Sequence, residues 1–144
     1  MKTVKSKTIE YLKQLIRFEN IIDSKYEECQ RLRSLVIRSS PCLLEEGAYN
    51  NQSLGSRLED YIIEIIGLEE EIKTDISNMI ALKREITARI DAIENNDLRL
   101  LLRLRYINNR TWEKIAAEMH FSYVHVAHNL HPKAIRAFEL KSMS

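Results

Sequence analysis

The chain has 144 residues, 44% of them hydrophobic and 30% charged, with a net charge of +1. Three Gly, two Pro and few aromatics favour an all-α chain over one built on a sheet, and the length allows one domain, or a small domain with an extended appendage. No apolar run approaches the ~20 residues that cross a bilayer, and the first residues lack the apolar core of a secretion signal, so a cytoplasmic location without a membrane partner is expected.

The first periodic segment runs from about residue 6 to 37. Leu15, Ile22, Cys29 and Val36 are seven apart, with Leu12, Phe18, Tyr26 and Leu32 beside them. The cysteines, Cys29 and Cys42, stand in no metal-ligand spacing and are expected to be free thiols. Cys29 lies in the apolar column, where a free thiol packs as a small hydrophobe. Residues 39–56 follow, with Pro41, Gly47, Asn50, Asn51 and Gly55. That cluster of breakers predicts a connecting loop.

A second helix is predicted over 56–94. Leu58, Ile65, Ile72, Met79, Ile86 and Ile93 repeat every seven residues. A second column, Ile62, Ile76 and Ile90, is interrupted at Glu69 and Lys83. A sustained period of seven implies a coiled-coil seam. At 1.5 Å per residue the helix would be roughly 57 Å long, and so much isoleucine needs a partner. Residues 1–95 are therefore expected to form an antiparallel helical hairpin. An intermolecular coiled coil, giving a homodimer, is the alternative. A stripe at helical spacing is core far more often than a cofactor site.

Asn95, Asn96 and Asp97 join this hairpin to a second unit at 97–141, with Asp97 expected to cap its first helix. Leu100, Leu101, Leu104 and Tyr106 make the apolar side of that helix. Thr111 caps a short helix from Trp112 to Met119, with Ile115 and Ala116 inward. His120 and Phe121 make a tight turn; the His120 position calls for a positive φ, which His tolerates better than most residues. Phe121 is expected to plug the corner beneath it. Ser122 caps a third helix with Val126, Leu130 and Ala134 inward. Pro132 should kink or end this helix near His131, leaving a bent continuation to Leu140. Two short helices joined by such a turn can set the second in a DNA major groove.

Charge supports that reading. Residues 1–96 hold 14 Lys/Arg against 17 Asp/Glu, a net of −3, whereas 97–144 hold 8 against 4, a net of +4. Positive charge thus gathers in the segment that would meet phosphate. The outward positions of the third helix include Tyr123, Val124, His125, His128, Asn129 and Lys133. Asn can bond adenine in a bidentate manner, and Val or Tyr can touch a thymine methyl. Arg110, Thr111, Trp112, Ser122, Lys133 and Arg136 suit the phosphate backbone; the Trp112 ring alternatively serves only to pack. His125, His128 and His131 are three apart, which fans them around a helix. No Cys or carboxylate completes a set, and zinc needs three or four convergent ligands, so no cofactor is expected. No Gly-rich phosphate loop, nucleophile elbow or metal set points to an enzyme.

The stretch LLRLRYINNRTWEKIAAEMHFSYVHVAHNLHPKAI resembles region four of bacterial sigma factors, the module that reads the upstream promoter element. The pattern is LRY, then T-W-E-x-I-A, then F-S-x-x-x-V-x-x-x-L-H-x-x-A. Residues 8–138 together resemble a family of small proteins encoded by phages and prophages of Gram-positive bacteria. There, helices like EYLKQLIRFENIIDSKYEECQRLR and RLEDYIIEIIGLEEEIKTDISNMIALKREI, separated by a polar loop, precede the sigma-like reader. The resemblance implies a late-gene transcriptional regulator binding double-stranded DNA. It departs at the reading face: sigma-type recognition helices carry several Arg near Tyr123, Ala127 and His128, and none stands between Arg110 and Arg136 here.

The expected function is therefore sequence-specific DNA binding without catalysis. An adaptor that binds RNA polymerase, and a packaging protein of the small-terminase kind, are the alternatives. Because imidazole gains charge near neutral pH, affinity for duplex DNA should rise as pH falls from about 7.5 to about 6. A flat profile in an equilibrium titration, for specific and non-specific duplexes alike, would remove the histidines from the contact.

Overall fold

The computed structural model describes residues 2–43 and 52–142, and they are all-α, with no strand among the described residues. Five α-helices follow one another: α1 Lys2–Leu43, α2 Gln52–Asp91, α3 Asn96–Leu102, α4 Trp112–Met119 and α5 His131–Ser142. Two wider π-helical segments adjoin them. Arg103–Ile107 extends α3, and His125–Leu130 leads into α5.

α1 exceeds its predicted bounds at both ends, whereas α2 begins before residue 56 but stops at Asp91, short of 94. The predicted loop at 39–56 shrinks, because Pro41 stands in the last turn of α1 and Gly55 in the first turns of α2. Gly costs less near a helix end than in the middle, whereas Pro41 forgoes one backbone hydrogen bond in the last turn of α1. Gly47, Asn50 and Asn51 lie outside the described residues.

The chain divides into two compact units, Met1–Phe18 with Met79–Ser144, and Glu19–Asn78. The break between α2 and α3 does fall at 92–95, near the expected division at 95–97. The compact units, however, divide within the long helices.

In the Glu19–Asn78 unit, α1 and α2 run antiparallel. Lys25 Nζ lies 2.7 Å from Asp75, and further along α1 Arg33 pairs with Glu69, an earlier residue of α2. The hydrogen bond to Asp75 holds the Lys25 ammonium above its ordinary pKa. Cys29, Leu32 and Ile65 form the buried seam, with Leu35, Val36, Tyr61 and Leu68 packed on it. Cys29 is a buried free thiol, as its place in the apolar column predicts. The second isoleucine column behaves differently from expectation. Ile62 and Ile76 are 45% and 37% exposed, because two helices bury one stripe each and leave the adjoining stripe on the flank.

The other unit joins the ends of the long helices to everything after residue 95. One continuous core contains Leu12 and Leu15 of α1 and Ile86 and Ile90 of α2. It also contains Leu101 and Leu102 of α3, Ile115 of α4, and Ala134, Ile135 and Phe138 of α5. At its centre the Arg89 guanidinium lies 4.0 Å from the Phe138 ring centroid and 5.2 Å from that of Tyr11. Burial, and then the Glu85 carboxylate, raise the Tyr11 phenol above its ordinary pKa. Thr8 Oγ1 donates to Glu139 at 3.0 Å, and Arg103 reaches Asp91 at 3.1 Å.

Two local expectations are corrected. Asn95, not Asp97, caps α3: its Oδ1 accepts from the N–H groups of Asp97 and Leu98 at 2.9 and 3.1 Å. The neutral Asn two residues earlier reaches both unpaired donors of the first turn. Leu100 is 44% exposed, while Leu101 and Leu102 are fully buried. At about 100° per residue, a face centred on Leu101 and Leu102 turns Leu100 outward. At Pro132 the helix does change near His131, the π segment ending at Leu130 and α5 continuing from His131. In an α-helix its ring would meet the carbonyl four residues back. Here the helix has already widened, with the His131 N–H bonded to Val126 O, five residues back. Pro132 then sits in the first turn of α5, where its missing N–H costs least.

Phe138→Ala should destabilise this unit by about 3–5 kcal/mol, read by urea unfolding. A loss below about 1 kcal/mol would contradict the shared core. Ser122→Ala should cost about 1 kcal/mol and Ser122→Gly only a few tenths; equal losses would contradict its capping role.

Candidate nucleic-acid interface

The geometry begins with three backbone devices. Thr111 Oγ1 accepts from the Lys114 N–H at 3.3 Å and starts α4. His120 ends it with φ 60 and ψ 39, the left-handed conformation predicted for this position. Its N–H and that of Phe121 close back on the Ala117 and Ala116 carbonyls at 3.4 and 3.0 Å. Ser122 Oγ then accepts from the His125 N–H at 3.1 Å, and Val126 N–H bonds Ser122 O at 3.1 Å, opening the next helix. That helix turns Val126, Leu130 and Ala134 into the core, as expected.

The same rotation leaves an outer face. Tyr123 is 43% and Val124 61% exposed. Ser122, His128, Asn129, Lys133 and Arg136 are exposed as well, and Thr111 is exposed at the start of α4. His125 is half-buried: its ring meets Phe121 edge-on at 5.0 Å, and its Nδ1 lies 3.3 Å from Asn129 Nδ2. Phe121 itself is 38% exposed. It therefore covers the His125 ring beside the turn rather than filling the corner beneath it.

Trp112 and Arg110 have more structural duties than the sequence suggests. Trp112 is half-buried, with the His131 ring edge-on at 4.7 Å and the Arg105 guanidinium 4.3 Å from its centroid. Arg105 Nη1 also donates to Arg110 O at 3.0 Å. Arg110 forms an ion pair with Glu118, which neutralises part of the cation expected to meet phosphate. His131 points the other way from the reading face. Its Nε2 lies 2.7 Å from the Tyr106 hydroxyl, and burial pushes that phenol up to about 12, so it stays protonated at neutral pH. His125, His128 and His131 thus occupy three different surroundings. Among the described residues no group of three His, Cys, Asp or Glu could hold a metal ion.

Sequence reasoning missed Arg105, whose stacking under Trp112 depends on the π turn that contains it. It also missed Lys114, an exposed cation in the first turn of α4. The Lys114 position was readable in principle, three residues after the Thr111 cap. The π turn was not, because Arg103–Ile107 contains neither Gly nor Pro to mark it.

The resulting surface is a short helix start, a left-handed turn and a second helix start, all facing solvent beside a mixed polar and apolar helix face. Unpaired N–H groups at helix starts bind anions, and a helix face of this composition can meet base edges.

No curated protein and no solved structure matches the chain. Residues 47–139, well over half of the 144, match the model of a family described as "Protein of unknown function (DUF1492)". The chain belongs to that family.

Proposed function

We propose that the protein is a sequence-specific DNA-binding regulator of transcription, of the sigma region-four-like kind, acting without catalysis. The observation that carries this reading is the sequence of cap, left-handed turn and cap from Thr111 to Ser122. It is followed by a helix buried on one side and open on the other. Tyr123, His128, Asn129 and Lys133 supply base-edge and phosphate contacts from the open side, and His125 holds the Asn129 amide in place. Thr111, Lys114 and Arg136 flank them as backbone contacts. The net +4 of residues 97–144 supports the same partner. The phage or prophage setting rests on the sequence resemblance.

One observation favours a second reading, an adaptor for RNA polymerase. The outer face exposes Tyr123 and Val124, has no Arg between Arg110 and Arg136, and loses part of the Arg110 charge to Glu118. Such a face suits a protein surface better than a phosphate-rich groove. The two readings separate on salt: phosphate contacts make affinity fall steeply with ionic strength.

The test uses a duplex selected by the wild-type chain from a randomised pool. The double variant Asn129→Ala, Lys133→Ala should bind that duplex at least about tenfold more weakly, since each base or phosphate contact contributes about 1–3 kcal/mol. Its helical circular dichroism should be unchanged. Undiminished binding would overturn the assignment of this face. Salt-insensitive capture of purified RNA polymerase without DNA would favour the adaptor.

A further inference from the structure

The flank of α2 carries a stripe that the antiparallel partner α1 leaves uncovered. Its positions are Glu59, Ile62, Ile66, Glu69, Lys73, Ile76, Ile80 and Lys83, alternately three and four apart along one unbroken helix. Residues at that spacing lie on one face. Ile62, Ile66, Ile76 and Ile80 are 45%, 56%, 37% and 42% exposed. Single exposed apolar residues are ordinary, but four on one stripe of one helix mark a contact surface.

The order of residues in the stripe identifies the occupant. Read from its midpoint at Glu71, the stripe is symmetric in apolar character and antisymmetric in charge. Ile66 and Ile76 stand five residues either side, and Ile62 and Ile80 stand nine. Glu69 is mirrored by Lys73, two residues either side, and Glu59 by Lys83, twelve either side. Laid antiparallel on itself about a two-fold axis at residue 71, the stripe sets isoleucine opposite isoleucine and glutamate opposite lysine at every position. A two-fold interface requires this self-complementarity, with each residue meeting the mirror position of the other copy.

We propose that this flank of α2 is a homodimer interface, occupied by the same stripe of a second copy running antiparallel. The proposal is independent of what the helix-turn-helix binds. Two in-chain contacts adjoin it: Glu69 accepts from Arg33, and Lys73 lies 3.3 Å from Glu70. Both are exposed pairs, which hold their side chains weakly, and the Glu69 carboxylate has a second oxygen for the partner's Lys73. The four isoleucines supply attraction and the four Glu–Lys pairs, within the same stripe, supply register and direction, as polar residues at seam positions do in coiled coils.

Sedimentation equilibrium of the full chain tests it. The wild-type chain should show a concentration-dependent monomer–dimer equilibrium. Glu69→Lys alone, and Lys73→Glu alone, each set like charges opposite one another at two places. Each should weaken self-association by on the order of tenfold or more. An equimolar mixture of the two variants should associate again, because every Glu then meets a Lys across the axis, and the double variant Glu69→Lys, Lys73→Glu should also recover. Recovery on mixing cannot come from repairing the Arg33 contact inside one chain. Ile66→Glu should abolish association while circular dichroism stays helical. A wild-type mass of one chain at all concentrations would overturn the proposal. So would single charge variants that associate like wild type, or a mixture that fails to recover.

Discussion

The core shared by the ends of the long helices and the C-terminal helices is the constraint on which the geometry of those C-terminal helices depends. Arg89 of α2 stacks on Phe138 of α5 and approaches Tyr11 of α1, so three segments distant in sequence meet at one guanidinium. A half-buried cation over an aromatic face contributes about 0.5–2 kcal/mol, and the aliphatic stem of the arginine adds packing. Thr8 with Glu139 and Asp91 with Arg103 fasten the edges of the same junction. Residues 1–18 and 79–91 thus share one core with the C-terminal helices rather than merely leading into them.

Within the C-terminal helices, orientation is set by places where the backbone leaves the ordinary α-helix. The left-handed His120 reverses the chain after α4. The π turn at Arg103–Ile107 buries Leu104 and Tyr106 together and brings Arg105 under Trp112. The π segment at His125–Leu130 carries the helix past Pro132. Each device costs backbone energy, and the buried side chains around it offset that cost. Insertions of this kind in helices recur at functional sites because they re-aim side chains. Here the second one lies in the helix whose outer face bears His128 and Asn129.

Much of the fold was legible from residue spacing. Leu58, Ile65 and Ile86 of the heptad column and the inward set Val126, Leu130 and Ala134 follow from helical period alone. Thr111, Ser122 and the left-handed His120 were legible from the chemistry of caps and turns. Other features were hidden. Asn95 and Asp97 are both competent caps, and only the path of the chain between α2 and α3 chooses between them. Leu100 and Leu102 are the same residue type two positions apart, and only the surroundings decide which is buried. Ile62 and Ile76 look like seam residues in a pattern, yet the hairpin has one partner helix and covers one stripe.

The site divides in the same way. Which residues have the chemistry to meet a base or a phosphate could be read directly: Tyr123, His128, Asn129, Lys133 and Arg136 are all exposed. Sequence could not show that Arg110 is held by Glu118, that Trp112 is clamped between Arg105 and His131, or that His131 turns inward to Tyr106. Sequence by itself determined the all-α class, the two long helices and the cap–turn–cap order, because these depend on local hydrogen bonding and periodic burial. Only the tertiary structure decided which cations remain free and where the compact units divide, because both depend on contacts between residues far apart in the chain.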